Sequence, residues 1–248
     1  MLRLIICGIN GTMGTLLYNQ AINRGHHVVC GIDKLTVGKT ECPVYKDIDQ
    51  TNEHADAIID FSSPSILSSL LTYSTANKTP LVLCSTGYSA NEENLIKQAS
   101  KKIPIFKSAN TSTGIMHFTQ LCQHLAKCLK DFDVEIIEKH HKHKKDSPSG
   151  TAKLIADNIT NQIKSISIEN SKQKAPHIDI HSIRGGSIVG EHSVLFLGEY
   201  DSFTLTHTAH SKLLFANGAL DACEYLTTKP NGLYNIDNLY FSNEISDN

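Results

Sequence analysis

Short apolar runs alternate with stretches of helical spacing along the first half of the chain, the rhythm of an α/β fold. Arg3–Cys7 is a compact apolar strand that stops at Gly8. Met13, Leu16, Leu17 and Ala21 then keep helical spacing up to Arg24-Gly25, where glycine can close a helix. Residues 28–32 read as a second strand ending at Asp33. Residues 57–61, 80–84 and 103–107 repeat the strand pattern. Ile66, Leu67, Leu70 and Leu71, and then residues 92–102, supply the helices between them.

From about Thr113 the pattern changes. Ile115, Phe118, Leu121, Leu125 and Leu129 predict a helix over 114–130, followed by a strand over 132–137. Ile155, Ile159 and Ile163 predict a helix that starts near Ser147. Residues 178–183, 193–197 and 202–207 alternate or run β-branched, as antiparallel strands do. A helix over 216–226 follows, and the tail from Asn235 is expected to return to the first domain. The economical architecture is a Rossmann-like dinucleotide-binding domain (1–111 plus about 217–248) with an inserted α+β domain (112–216).

The turn after the first strand reads Gly8-Ile9-Asn10-Gly11-Thr12-Met13-Gly14. With Asp33 about 25 residues beyond the first glycine, it resembles a dinucleotide-binding turn. Glycines let the backbone approach a pyrophosphate, the helix N-terminus faces its charge, and the acid accepts hydrogen bonds from a ribose. The match departs from GxGxxG, with Asn10 at the second glycine and Met13 near the third, and a plain strand–turn–helix remains the alternative. Asp33 favours a free 2′-hydroxyl, whereas Lys34 could tolerate a 2′-phosphate, so NADH and NADPH both stay open. The later strands end in Ser62-Ser63-Pro64, Ser85-Thr86-Gly87 and Ser108-Ala109-Asn110-Thr111, polar loops where parallel sheets bind ligands.

The most distinctive stretch is 138–152, EKHHKHKKDSPSGTA. A helix beginning at Ser147 would put Pro148 at its first position, leaving the N–H groups of Ser149, Gly150 and Thr151 to face an anion. Cationic side chains lie just upstream, and histidine can carry a proton near neutral pH. The segment therefore predicts a cradle for a small, multiply charged anion. A metal site is the nearest rival, but His140, His141 and His143 lack a carboxylate or cysteine pattern of metal-ligand spacing, so no metal is expected.

Charge and composition narrow the class. The net charge of −2 makes the basic tract a local device, without a general pull toward nucleic acid. No apolar run approaches the ~18 residues of a membrane span. The apolar run at 4–9 is too short for a signal peptide. Seven cysteines without CxxC spacing predict reduced thiols in a cytoplasm, most of them core residues.

Residues 138–151 match E-x-H-H-x-x-K-x-D-x-P-S-G-T at every fixed position, and the chain resembles the dihydrodipicolinate reductases of bacterial lysine biosynthesis. The resemblance extends over Gly8 to Gly14, Asp60-Phe61-Ser62, Ser85-Thr86-Gly87, Ser108-Ala109-Asn110, Ile183-Arg184-Gly185-Gly186, Ile188 to His192 and Phe215 to Ala219. It implies NADH- or NADPH-dependent reduction of a cyclic imine dicarboxylate, by hydride transfer to C4 and protonation by a histidine. By resemblance His140 is the proton donor and Lys144 the main substrate-binding cation. Gly150 and Thr151 hold a carboxylate, and His141 belongs to the substrate site. The cofactor would lie along Gly8, Asn10, Gly11, Thr12 and Met13, Asp33 and Lys34, Cys84, Ser85 and Thr86, and Ser108, Ala109, Asn110 and Thr111. Cys84 stands where many relatives carry glycine, and Thr111 where an aromatic is common. The resemblance also implies a cytoplasmic homotetramer joined through the sheet of the second domain.

Overall fold

The computed structural model describes residues 1–36, 40–169 and 178–241, so residues 242–248 of the expected first domain lie outside the described residues. In chain order the elements are β1 (Arg3–Cys7), α1 (Thr12–Asn23), β2 (His27–Ile32), β3 (Val44–Tyr45), β4 (Ala57–Asp60), α2 (Leu67–Asn77), β5 (Leu81–Leu83), α3 (Ala90–Ala99) and β6 (Pro104–Lys107). There follow α4 (Thr113–Cys128), β7 (Asp133–His140), α5 (Gly150–Glu169), β8 (Asp179–Arg184), β9 (Gly190–Leu197) and β10 (Ser202–Ala209). The last described elements are α6 (Leu213–Leu226), β11 (Gly232–Tyr234) and α7 (Ile236–Phe241).

Two compact units result, one from residues 1–112 with 212–248 and one from 113–211. The return to the first unit thus comes earlier than the sequence pattern placed it, because α6 begins at Leu213 and its buried face belongs to the first core.

Among the described residues, seven parallel strands of the first unit run in the order β11-β6-β5-β4-β1-β2-β3. Alternate side chains of each strand reach opposite faces of the sheet. Leu4, Ile6 and Ile59 pack with Leu17 and Ala21 of α1 and Ala219, Leu220 and Cys223 of α6. Ile5, Cys7 and Ile58 pack with Leu67 and Leu70 of α2 and Ile96 of α3. Strand order reverses between β1 and β4, and ligands of such sheets bind beyond the carboxyl ends of the strands at that point. Among the described residues, the two short strands β3 and β11 had no counterpart in the sequence pattern.

The second unit is a four-stranded sheet, β10-β9-β7-β8, covered on one face by α4 and α5. Val134, Ile136, Val194 and Phe196 point inward against Phe118, Cys122, Ile155 and Ile159, all buried. One expectation fails here: β8 pairs with β7 in parallel, while β9 and β10 are antiparallel. Period-two patterning reports which face is buried and carries no information on strand direction.

Candidate active site

The turn after β1 is shaped by three glycines spaced three apart. Gly8 has φ +76, and a Cβ there would lie 2.8 Å from the Phe61 carbonyl oxygen. Gly11 N–H donates to the Gly8 carbonyl (3.0 Å), and α1 opens at Thr12 with no side-chain cap. The first-turn N–H groups of α1 therefore face the turn, the usual anion-binding end of a helix. At Gly14 a Cβ would sit 2.0 Å from Gly8 O, so this residue, and not Met13, does the close-packing work of the third glycine. The Met13 side chain packs on the core instead.

Asp33 braces the same turn. Its carboxylate accepts the N–H of Asn10 (3.0 Å) and of Leu35 (3.2 Å), while Asn10 Nδ2 donates to Leu35 O at 2.6 Å. Asn10 Oδ1 is buried with no partner among the described residues, an acceptor placed for a ligand hydroxyl or amide at the rim of the turn. Lys34 is exposed beside it. The glycine turn, the open helix end and this orphaned acceptor fit a dinucleotide.

The loops after β4 and β5 are tied together by Asp60, which is 1% exposed. Its carboxylate accepts Ser62 N–H (2.9 Å), Ser62 Oγ (2.5 Å) and Ser85 Oγ (2.8 Å). Burial pushes its carboxyl up, and the serine hydrogen bonds oppose that. Thr86 is exposed, and Gly87 follows at φ +85. Cys84 turns its thiol into the core, where burial raises its pKa, so the thiol leaves the loop uncrowded.

After β6, Ser108 Oγ donates to Asn110 O at 2.6 Å, and Asn110 Oδ1 accepts Ser112 N–H at 2.9 Å. Ala109 is exposed. Thr111 is buried and spends its hydroxyl on Phe215 O (2.7 Å) at the start of α6, so its side chain is structural. The cofactor residues picked from sequence thus gather in the first unit on the loops that follow β1, β2, β5 and β6. Cys84 and Thr111, whose side chains are buried, offer a ligand their backbones.

In the second unit β7 runs three residues further than its apolar pattern, through Glu138 to His140. The extension is stable because Glu138 and His140 lie two apart on the inward face and find partners there, while Lys139 points outward and pairs with Glu191 at 2.6 Å. Glu138 has no exposed side-chain surface. Its carboxylate takes a bidentate fork from Arg184 (Nη1 2.9 Å, Nη2 2.5 Å), the Ser182 hydroxyl (2.7 Å), the Ser149 N–H (3.2 Å) and His140 Nδ1 (2.5 Å). Burial opposes its ionisation, but the bonds from Arg184, Ser182 and His140 win, and its pKa falls to about 2.

His140 is 8% exposed. Burial lowers its pKa, Glu138 pulls it up, and the positive charges of Lys144 and Arg184 push it down, with a net lowering. Since an ionised carboxylate can only accept, His140 carries a proton on Nδ1, and Nε2 is left to exchange one. Nε2 looks toward Gly190, where a Cβ would approach to 3.2 Å. His192, the cross-strand partner of Glu138, packs edge-on against His140 with ring centroids 5.3 Å apart. Burial pushes His192 down to about 4.

The basic segment then turns back on itself. Gly185 N–H donates to His140 O (3.0 Å) and Lys142 N–H to Gly186 O (3.3 Å). Lys144 Nζ pairs with Asp146 at 2.9 Å, His141 is half-buried, and His143 and Lys145 are exposed.

The helix start differs from expectation. Ser147-Pro148 is a cis peptide ahead of α5, and the helix opens at Gly150. Ser149 is its cap, accepting Ala152 N–H on Oγ at 3.1 Å, with His192 Nε2 3.2 Å from the same oxygen. Ser149 N–H is spent on the Glu138 carboxylate and not on a bound anion, which leaves Gly150 and Thr151 as the helix-end positions. His140, His141, Lys144, Gly150 and Thr151 all lie where β7 ends and α5 begins.

Two family models account for nearly the whole chain: the N-terminus of dihydrodipicolinate reductase matches residues 2–111, and its C-terminus matches 114–240. The chain belongs to the dihydrodipicolinate reductase family. It is an oxidoreductase with a nicotinamide dinucleotide cofactor. A 4-hydroxy-tetrahydrodipicolinate reductase of Clostridium tetani is 46% identical over 246 residues, covering 96% of each chain. One from Clostridium novyi is 43% identical over 248 residues, covering 96% of this chain and 98% of its own. Dipicolinate-bound dihydrodipicolinate reductase from Paenisporosarcina sp. TG-14 has the same fold, with TM-score 0.78, 24% identity and coverage of 95% and 97%.

Within this family member, the residues that sequence reasoning left without roles are the partners of His140. Glu138 had a legible signal, since two positions separated by one residue in a strand share a face. Arg184 and His192 stood out only as members of the segments that carry the resemblance, without a role, and Ser182 had no signal; all three reach the site from β8 and β9 by strand pairing.

Proposed function

We propose that this reductase reduces 4-hydroxy-tetrahydrodipicolinate, by way of dihydrodipicolinate, to tetrahydrodipicolinate in diaminopimelate and lysine biosynthesis, with His140 as the proton donor. A nicotinamide dinucleotide, when bound, would supply the hydride that C4 of the substrate ring receives. The ring would then carry enamine-like negative charge and need a proton, which His140 delivers from Nε2. Lys144, with Gly150 and Thr151 at the start of α5, orients the carboxylates by charge-assisted hydrogen bonds, and His141 completes the substrate site. Lys144 and Arg184 disfavour the imidazolium, so a protonated His140 gives up its proton readily.

The observation that supports this reading best is the Glu138–His140 bond, which leaves one ring nitrogen committed and the other available for exchange. The test is oxidation of NADH or NADPH coupled to the product of dihydrodipicolinate synthase. His140→Gln is expected to lower turnover by ~10²–10⁴-fold with a modest change in KM. Unchanged turnover removes His140 from the proton-donor role. Running the assay with both cofactors measures the preference; Asp33 favours NADH, and the exposed Lys34 gives a 2′-phosphate a counter-charge.

We further assign a cytoplasmic homotetramer assembled through the uncovered face of the second sheet. That face carries Ile183 and Leu197, 47% and 38% exposed, beside Thr204, Thr206 and Thr208. Among the described residues no helix is long and apolar enough to cross a membrane. Light scattering of the purified chain checks the subunit number.

A further inference from the structure

We propose that Glu138, held by Arg184, is the positioning residue of the proton donor: it fixes His140 with Nδ1 bound and Nε2 exchanging, and it supplies the counter-charge for the imidazolium. The proposal rests on the reading of His140 as that donor.

The geometry carries it. Glu138 is fully buried and its two oxygens receive five hydrogen bonds, from Arg184 twice, Ser182, Ser149 N–H and His140. Four of the five come from groups on β8 and the α5 cap, so the carboxylate is fixed before it meets the imidazole. A rigid acceptor 2.5 Å from Nδ1 selects one tautomer and one ring orientation. Arg184 is itself anchored, donating from Nη1 to Ile183 O and from Nη2 to Asp146 O, each at 2.8 Å.

The charges that face His140 divide by sign. Glu138 on its own strand favours the imidazolium. Lys144 from the loop and Arg184 from β8 oppose it. His192 on β9 packs against it, and His207 on β10 stands one strand further on. The faces of α4 and α5 on this sheet are apolar around Phe118, Ala152 and Ile155. Removing Glu138 and removing Arg184 should therefore act on His140 in opposite directions, whereas two merely structural residues would act alike.

The test is the alkaline limb of kcat/KM against pH, which reports loss of the donor proton. Glu138→Gln keeps an acceptor for Nδ1 but loses the charge, and the limb is expected to move down by about 1–3 pH units. Arg184→Gln is expected to move it up, and Arg184→Lys, which keeps the charge, to restore it toward the wild-type position. Ring-nitrogen NMR of His140 in the unaltered enzyme needs no variant and is expected to show neutral imidazole protonated on Nδ1. Neutral His140 protonated on Nε2, or limbs displaced in the same direction by both glutamine variants, overturns the proposal. Full turnover in His140→Gln overturns the donor reading instead, and the NMR titration then still reports the Glu138–His140 couple by itself.

Discussion

His192 should make the second unit acid-labile, by an amount that its surroundings fix. It is 4% exposed, lies beside His140, and is pushed from 6.5 to about 4 by burial. A histidine whose folded pKa lies below its unfolded value binds more protons when unfolded, so its contribution to stability is complete above the unfolded pKa. That contribution is lost as pH falls from 6.5 toward 4. Between about pH 7.5 and pH 5 the loss from this group is about 2 kcal/mol. For a unit of this size that lowers Tm by about 10 °C. The assay is urea or thermal unfolding followed by circular dichroism, with the wild type and His192→Gln each measured at both pH values. The variant loses the Ser149 contact at either pH, so the informative quantity is the difference between the two pH-dependent losses. His140 and His207 also have lowered pKa values and remain in both proteins, so they largely cancel in that difference. Equal pH-dependent losses in wild type and variant would refute the reasoning.

Two substitutions probe the two units separately. Lys144→Ala removes a charge-assisted contact to the substrate and should lower kcat/KM by about 10–100-fold through both parameters. Its ion-pair partner Asp146 is exposed, so Tm should move little; a normal KM for the dicarboxylate argues against Lys144 as the anchor. Gly14→Ala drives a Cβ to 2.0 Å from Gly8 O and should destabilise the first unit by about 1–3 kcal/mol. Weakened dinucleotide binding, read by calorimetry, should accompany it, and unchanged affinity with unchanged Tm would count against the role given to Gly14.

How much of this was legible in the sequence depends on the range of the interaction. Arg3–Cys7 appears as the pattern drew it, because a short apolar run bounded by glycine is a local property. The helix end at Gly150 and Thr151 was legible to within a few residues. The misplacement came from Pro148, which precedes the helix in the cis form while Ser149 takes the capping role. The glycine turn was read through a pattern one residue tighter than the real one, and only the contact of Gly14 with Gly8 O reveals the three-residue spacing. The environment of His140 was least accessible. Ser182 and Arg184 arrive through a parallel pairing, and His192 through an antiparallel one, neither of which periodicity can specify.

The first unit is assembled from two visits of the chain, and this orders events during synthesis. Residues 1–112 contain six of its seven strands, yet one face of that sheet awaits Ala216, Ala219, Leu220 and Leu226 of α6, which follow the entire second unit. Until α6 emerges from the ribosome, Leu4, Ile6, Ile59 and Val82 have no helix from the C-terminal segment to cover them. The second unit is continuous, over 113–211, and can close first. Helix α1, which follows the nucleotide turn, therefore gains its α6 neighbour last, and a nascent chain stalled before residue 213 leaves part of an apolar sheet face for chaperones to hold.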